Sequence, residues 1–282
     1  MQSKKTPKRL TTSYSYDSLT DKGSGRLNED ALLCAPNKGL FAVFDGATSL
    51  IPFQDGEGRT GAYLASHIAS RAFDEVGGDL KHLVSKANLA VRSAMLQEGV
   101  DVTNKLSQWT TTVAAVKVKY NSFDWVQVAD TNILVIYENG THKLLVKDYD
   151  HDTDSNIMLK QLVKDGVKDI WAGMLDQFKR NRMNSNVTYG FIAGEKEVKF
   201  VHSGTESLVG VSDVILFSDG LLFPKEDPTA PDDIKRIARS YGKGGLEGWL
   251  SEVRALEASD PGMRKYLRFK PQDDATAVAV TF

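Results

Sequence analysis

The amino-acid sequence predicts a single α+β domain in which two antiparallel β-sheets are covered by helices. Short β-branched and aromatic runs are joined by a few residues, and such connections are too short for the helical crossovers of a parallel sheet. Apolar residues at three- and four-residue spacings mark helices that face a core. The 282 residues contain no repeat and no long linker, so we expect a polar arm over residues 1–24 and one domain over residues 25–282.

The first elements are a hairpin and two helices. Apolar runs at Ala31–Ala35 and Leu40–Phe44 flank a Pro-Asn-Lys-Gly turn, which predicts a β-hairpin. Helical spacing over residues 62–73 predicts a core-facing helix, and the next helix, capped by Asp79, extends to Gly99.

Strands and helices then alternate in blocks. The predicted meander consists of Thr110–Tyr120, Phe123–Asp130, Asn132–Gly140 and Thr141–Asp148. A helical region with breaks at Gly166 and Gly173 follows over Asn156–Met183. The remaining predicted strands are Thr188–Ile192, Val198–Val201, Val214–Phe217 and Ala275–Thr281, with a glycine-interrupted helical region over Pro231–Ala258.

The composition excludes several functional classes. With 35 Lys plus Arg against 37 Asp plus Glu, the chain lacks the basic excess of a nucleic-acid binder. One cysteine excludes an intramolecular disulfide and a cysteine-based zinc site. No apolar run approaches the roughly 20 residues of a membrane span, and no apolar segment follows the basic first ten residues. We therefore expect a cytoplasmic protein without nucleic-acid or membrane partners.

Acidic residues stand where predicted strands begin or end. They are Glu29 and Asp30, Asp45 before Gly46, Asp130, Asp219 before Gly220, and Asp273 before the last strand. Carboxylates at the edge of a core lose hydration and repel one another, so a cation or shared protons must compensate. Mg²⁺ and Mn²⁺ prefer oxygen ligands, and two such ions activate a bridging water and clamp phosphate oxygens. Turn chemistry explains any single Asp-Gly pair, whereas the whole set favours a metal cluster.

Six segments in order resemble the metal-dependent protein phosphatases of type 2C, the PPM phosphatases. They are RLNEDALL from Arg26, FAVFDGATS from Phe41, TTTVAAV from Thr110, VQVADTNILVI from Val126, VILFSDGLL from Val214 and DDATAVAV from Asp273. The resemblance spans nearly the whole chain from Arg26. It implies a central antiparallel β-sandwich of two sheets flanked by helices in an α-β-β-α order, with a binuclear Mn²⁺ or Mg²⁺ centre at one end.

The resemblance also implies roles for single residues. Asp45 would bridge both metals, and the Gly46 carbonyl would complete one coordination shell. Asp219 and Asp273 would hold one metal.

The remaining roles concern the second metal, a third site and the phosphate. Glu29 and Asp30 would lie beside the second metal, mostly through waters. Asp130 would join Asp219 at a weaker third site. Arg26 would bind phosphate, although it stands three residues before Glu29, where the family's arginine usually stands four before.

Other positions depart from the family pattern. Ala47 lies in a segment where some members carry a histidine that acts as general acid, and alanine has no proton to donate. Asn132 replaces the usual arginine, and Asp274 replaces the usual asparagine, which adds a negative charge beside the site.

The sequence therefore predicts a protein serine/threonine phosphatase in which a metal-bridging hydroxide attacks the phosphate directly, with Asp45 and Asp219 as central residues. Its substrates would be phosphorylated proteins, and a serine/threonine kinase would be a functional partner. Two alternatives stay open. One is a pseudophosphatase that binds proteins through the same fold, and the other is a phosphatase of a small metabolite.

Overall fold

The computed structural model describes residues 13–75, 77–146 and 152–282. Its strands, in chain order, are β1 (Ser15–Asp21), β2 (Ala31–Ala35), β3 (Leu40–Phe44), β4 (Gly46–Ala47), β5 (Thr110–Thr111), β6 (Val113–Val118), β7 (Ser122–Val128), β8 (Asn132–Tyr137), β9 (His142–Leu144), β10 (His202–Ser207), β11 (Val211–Phe217) and β12 (Ala275–Thr281). Its helices are α1 (Gly61–Glu75), α2 (Leu80–Gln97), α3 (Thr153–Lys164), α4 (Ile170–Asn184) and α5 (Ile234–Ala258).

The strands form two five-stranded antiparallel sheets and a short ribbon. The first sheet has the order β1-β12-β11-β8-β9, and the second has the order β10-β7-β6-β3-β2. The ribbon pairs β4 with β5, and its register places Gly46 opposite Thr111. Strand β12 is last in the chain but lies inside the first sheet, between β1 and β11.

Apolar side chains form three layers around these sheets. Side chains such as Phe41, Val214 and Val278 fill the space between the two sheets. Helices α1 and α2 cover the outer face of the second sheet, where Phe44 packs edge-on against Phe73. Helix α5 covers the outer face of the first sheet through the fully buried Trp249. The fold is therefore the predicted helix-flanked β-sandwich.

Local sequence signals explain how several helices begin and end. The Asp79 carboxylate caps α2 by accepting a hydrogen bond from the His82 backbone N–H at 2.8 Å, as predicted. Gly166, at a φ of +73°, separates α3 from α4. The predicted break at Gly173 is wrong, because Gly173 lies inside α4.

Among helices of the described ranges, we find none with the length and hydropathy that a membrane crossing requires.

The polar arm predicted over residues 1–24 is wrong where the structure describes it. Residues 15–21 form β1, which pairs with β12 and places Leu19 opposite Ala277. Only Leu19 of this strand is buried, so its polar sequence shows no apolar run. Residues 1–12 of the predicted arm lie outside the described residues.

Two predicted strands in the second half of the chain are also wrong. Residues 188–192 make only isolated bridges, such as Thr111 to Ile192. Residues 198–201 contain Phe200 at a φ of +53°, which interrupts an extended chain. The edge strand is instead the polar β10, which pairs with β7. Strand β9 is shorter than predicted, and the end of that prediction, residues 147–148, lies outside the described residues.

Candidate metal centre

Asp45 follows β3, and neighbouring threonines fix its backbone. The Asp45 carbonyl accepts hydrogen bonds from the Thr112 backbone N–H at 2.9 Å and from the Thr111 hydroxyl at 2.7 Å. The Asp45 N–H donates to the Thr112 hydroxyl at 3.2 Å. The threonine run that matches the family motif therefore positions the residue that the sequence predicts as the metal bridge.

Close backbone packing explains the glycine after each central aspartate. A Cβ atom on Gly46 would stand 2.5 Å from the Ala62 carbonyl oxygen and 2.6 Å from that of Glu29. A Cβ atom on Gly220 would stand 1.9 Å from the Asp274 carbonyl oxygen. Since real Cβ atoms do not approach so closely, both Asp-Gly pairs require glycine for packing.

The Asp45 and Asp219 side chains meet in the structure. Asp219 starts a 3-10 turn one residue after β11, and its carboxyl group interacts electrostatically with that of Asp45. Burial, followed by repulsion from Asp219, Asp30, Asp130 and Asp273, raises the pKa of Asp45 well above its usual value. Burial, with the charges of Asp273 and Asp130, also raises the pKa of Asp219. The site therefore favours positive charge next to these carboxyl groups.

Asp30 is buried beside this pair, at the start of β2. Its carboxylate accepts a hydrogen bond from the Ser218 hydroxyl at 2.7 Å. Burial raises the pKa of Asp30 to about 7, and the charges of Asp274 and Asp273 add to this effect. Asp30 thus contributes to the same excess of negative charge.

Asp130 follows β7 after a strained residue. Ala129 lies at a φ of +65°, a left-handed conformation that side chains other than glycine rarely adopt. The Asn132 side-chain amide donates to the Asp130 carbonyl at 2.6 Å and closes this turn. Asn132, which departs from the family pattern, therefore has a local role in shaping the loop that carries Asp130.

Asp273 precedes β12 and has a cationic neighbour that the sequence analysis missed. The Lys270 ammonium donates to the Asp273 carboxylate at 2.7 Å. Burial alone lowers the pKa of Lys270, but the charges of Asp273, Asp45 and Asp219 outweigh burial and raise it. The only sequence signal was the position of Lys270 three residues before Asp273.

Glu29 lies on another side of the site and is held by hydroxyl groups. Its carboxylate accepts from Thr60 at 2.6 Å and from Thr48 at 3.4 Å. Burial raises the pKa of Glu29, an effect that the Thr60 hydrogen bond and the Lys270 charge oppose. Arg26, the predicted phosphate ligand, donates to the Gly58 carbonyl at 2.7 Å.

Asp274, the other departure from the family pattern, has a structural function. Its two carboxylate oxygens accept hydrogen bonds from the Gly23 N–H at 2.9 Å and the Glu29 N–H at 2.7 Å. An asparagine would offer only one acceptor atom for these two donors. The carboxylate therefore ties the segment before β2 to the start of β12.

The donor chemistry of this site fits hard divalent cations. Asp45, Asp219 and Asp273 present carboxylate oxygens, and burial and mutual repulsion demand positive charge there. In the described residues, we find no group of three or more His, Cys, Asp or Glu side chains in an arrangement that could hold an ion. The Asp273 carboxylate is instead paired with the Lys270 ammonium.

A cavity of about 780 Å³ opens beside these carboxylates. Asp130, Asp219 and Asp273 form part of one wall, together with Lys270. Other walls come from β9, α3 and the segments 222–234 and 267–269, with Leu159 and Phe269 among the apolar side chains. The carboxylates are thus accessible from a space large enough for part of a substrate.

A carboxylate-rich centre at one end of a helix-flanked β-sandwich defines the class of metal-dependent phosphatases. The chain belongs to the protein phosphatase 2C family, whose model it matches over residues 21–253. Members of this family are metal-dependent serine/threonine phosphatases that use Mn²⁺ or Mg²⁺. No curated protein matches the sequence.

Solved structures show the same fold at low sequence identity. The serine/threonine phosphatase PstP of Mycobacterium tuberculosis has a TM-score of 0.58 and 20% identity, over 95% of this chain and 98% of that chain. The catalytic domain of PstP in complex with two manganese ions has a TM-score of 0.55 and 20% identity, over 95% and 97%. The phosphatase Stp1 of Staphylococcus aureus has a TM-score of 0.59 and 18% identity, over 99% of each chain.

Proposed function

We propose that this phosphatase hydrolyses phosphoserine and phosphothreonine esters of proteins at the Asp45–Asp219 centre. The observation that supports this assignment is the half-buried pair of Asp45 and Asp219, whose carboxyl groups repel each other and on which Asp273 and Asp130 also act electrostatically. Such a concentration of like charge is costly for the fold, and a site for divalent cations accounts for it.

Individual residues would then have distinct tasks. Asp45, Asp219 and Asp273 hold the cations, with the Gly46 carbonyl as a further ligand. Divalent cations at these oxygens supply the charge that neutralises phosphoryl oxygens and that lowers the pKa of an attacking water. Thr111 and Thr112 keep the Asp45 backbone in place through the hydrogen bonds described above.

The remaining predicted site residues have supporting roles in this proposal. Asp30 and Glu29 would lie beside the second cation, and Asp130 would contribute to a third and weaker site. Arg26 remains the predicted phosphate ligand at the rim.

The adjoining cavity supports a protein substrate. It combines apolar walls with lysines such as Lys143 and Lys225, so it offers contacts to the peptide on either side of a phosphorylated residue. A partner serine/threonine kinase and a cytoplasmic location stay predictions from the sequence.

The test compares the wild type with Asp219→Asn and with Asp176→Asn. Asp176 lies in α4 with 78% of its side chain exposed, so its variant is a matched control for loss of one charge. Each protein is assayed with Mn²⁺ on phosphothreonine and phosphotyrosine peptides and on p-nitrophenyl phosphate. We expect Asp219→Asn to lose activity by at least about 100-fold, because a ligand to the charge-neutralising ion is removed.

The outcomes separate this proposal from the alternatives. Full activity of Asp219→Asn, or of the wild type in excess EDTA, would refute the proposed centre. A wild type that binds peptides without hydrolysing any substrate would indicate a pseudophosphatase. Hydrolysis of small phosphate esters with no turnover of phosphopeptides would indicate a metabolite phosphatase.

A further inference from the structure

Lys270 occupies an unusual place for a basic side chain in a predicted metal centre. Its ammonium lies 2.7 Å from the Asp273 carboxylate, on the cavity wall that also contains Asp130 and Asp219. The side chain is 41% exposed, so its end lies at the boundary between the carboxylates and the solvent.

The charge of Lys270 reaches several carboxylates at once. Beyond its ion pair with Asp273, it interacts electrostatically with Asp45 and Asp219, and with Glu29 on the other side of the site. One ammonium therefore opposes the negative charge of four predicted metal ligands. A bound divalent cation would have the same electrostatic effect at the same carboxylates.

The backbone just before Lys270 is anchored, and the lysine side chain itself has a long, rotatable stem. Arg268 donates to the carbonyls of Glu257 at 3.0 Å and Asp260 at 2.8 Å, at the end of α5. Phe269 packs edge-on against Phe178 of α4, with ring centroids 5.3 Å apart. A lysine on such a fixed loop can withdraw its ammonium towards the cavity by rotating its four-carbon stem.

We propose that Lys270 is an internal counter-ion of the carboxylate cluster and that it competes with divalent cations for the Asp219–Asp273 side. When such a cation binds, the ammonium leaves Asp273 and turns into the cavity. Lys270 thus sets the divalent-cation concentration at which the site fills. This inference rests on the proposed metal centre, and the test below distinguishes a failure of the metal centre from a failure of the role of Lys270.

The test uses one charge-removing variant and two controls. Lys270→Gln removes the positive charge, while Lys270→Arg keeps it. Lys265→Gln removes a charge from the same loop, where Lys265 is 59% exposed and pairs with Glu226. Mn²⁺ affinity of each full-length protein is measured by isothermal titration calorimetry, and thermal unfolding is measured in EDTA and in saturating Mn²⁺.

We expect opposite effects on binding and on stability. Lys270→Gln binds Mn²⁺ about three- to tenfold more tightly, because the cation no longer displaces a positive charge. In EDTA the same variant unfolds about 2–4 °C below the wild type, because the carboxylates lose their counter-ion. Saturating Mn²⁺ abolishes this difference. Lys270→Arg and Lys265→Gln bind Mn²⁺ as the wild type does.

Each contrary result has a defined meaning. Unchanged or weaker Mn²⁺ affinity in Lys270→Gln would overturn the proposal. If, in addition, the KM for phosphopeptides rose, Lys270 would be a substrate ligand and not a competitor of the cation. A stability loss that persists in saturating Mn²⁺ would overturn it in favour of loop packing. If the wild type itself bound no Mn²⁺, the proposed metal centre would fail rather than the role of Lys270 alone.

Discussion

Replacing Asp45 with asparagine is expected to make the protein more stable in EDTA while removing its function. Asp45 and Asp219 are half-buried carboxyl groups of neighbouring residues in the site, and desolvation and repulsion raise the pKa of both. A group whose pKa is raised on folding binds protons more tightly in the folded chain, so its ionisation destabilises the fold as pH rises. Asparagine keeps the size and a hydrogen-bonding group but cannot ionise.

The size of the expected stability gain follows from the repulsion between the Asp45 and Asp219 charges. Two unit charges at hydrogen-bonding range repel by about 4 kcal/mol at the effective dielectric constant of proteins. In the wild type, solvent in the cavity and the nearby Lys270 ammonium screen part of this repulsion, so the asparagine variant recovers only a fraction. We expect a gain of about 1–3 kcal/mol in the free energy of unfolding, larger at pH 8 than at pH 6.

Urea denaturation in EDTA at both pH values measures this gain, and adding Mn²⁺ reduces or reverses the stability difference between the two proteins. Free Mn²⁺ at 100 times its Kd stabilises a binding protein by about 2.7 kcal/mol, which the wild type gains and Asp45→Asn largely loses. Asp176→Asn again serves as the control, with no change expected in either condition. A loss of stability of Asp45→Asn in EDTA, or an equal response of both proteins to Mn²⁺, would refute the reasoning.

Two further predictions concern neighbouring residues. The pKa of Asp30 rises from 3.8 to about 7 on folding, so the folded chain binds more protons in that window. In EDTA, the free energy of unfolding from urea denaturation is therefore expected to fall as pH rises from 5 to 8, and a rise would contradict this sign. Gly220→Ala places a Cβ atom 1.9 Å from the Asp274 carbonyl oxygen, so it is expected to lower both the melting temperature and Mn²⁺ affinity in calorimetry. The control Gly248→Ala, with nothing within 4 Å inside helix α5, is expected to stabilise by up to about 1 kcal/mol, and equal effects of the two variants would contradict the packing argument.

Apolar patterning predicted most of the sandwich, because most of its strands have a buried face. The hairpin Ala31–Ala35 and Leu40–Phe44, and the last strand Ala275–Thr281, have the predicted bounds. The polar strands β1 and β10 escaped the same reasoning, since they lie at sheet edges and take their conformation from pairing with β12 and β7. Edge strands of this kind are determined by a partner distant in sequence, which a local pattern does not contain.

In the candidate site too, some residues could be predicted from local sequence and others could not. The carboxylates Asp45, Asp130, Asp219 and Asp273 were predictable, because the first three follow apolar runs and Asp273 stands just before one. The ion pair between Lys270 and Asp273 was not predictable, since a lysine near an aspartate in sequence is common on protein surfaces. The role of Asp274 also required the structure, because the two backbone N–H groups that it accepts from lie about 250 positions earlier in the chain.

The position of β12 has a consequence for biosynthesis. The strand lies inside the first sheet between β1 and β11, and Asp273 stands two residues before it. During translation, β1 therefore waits for a partner that is made more than 250 residues later. A nascent chain whose residues 273–281 are still inside the ribosome lacks β12, its pairing with β1 and β11, and one of the predicted metal ligands. We therefore expect chains truncated before residue 273 to show no phosphatase activity.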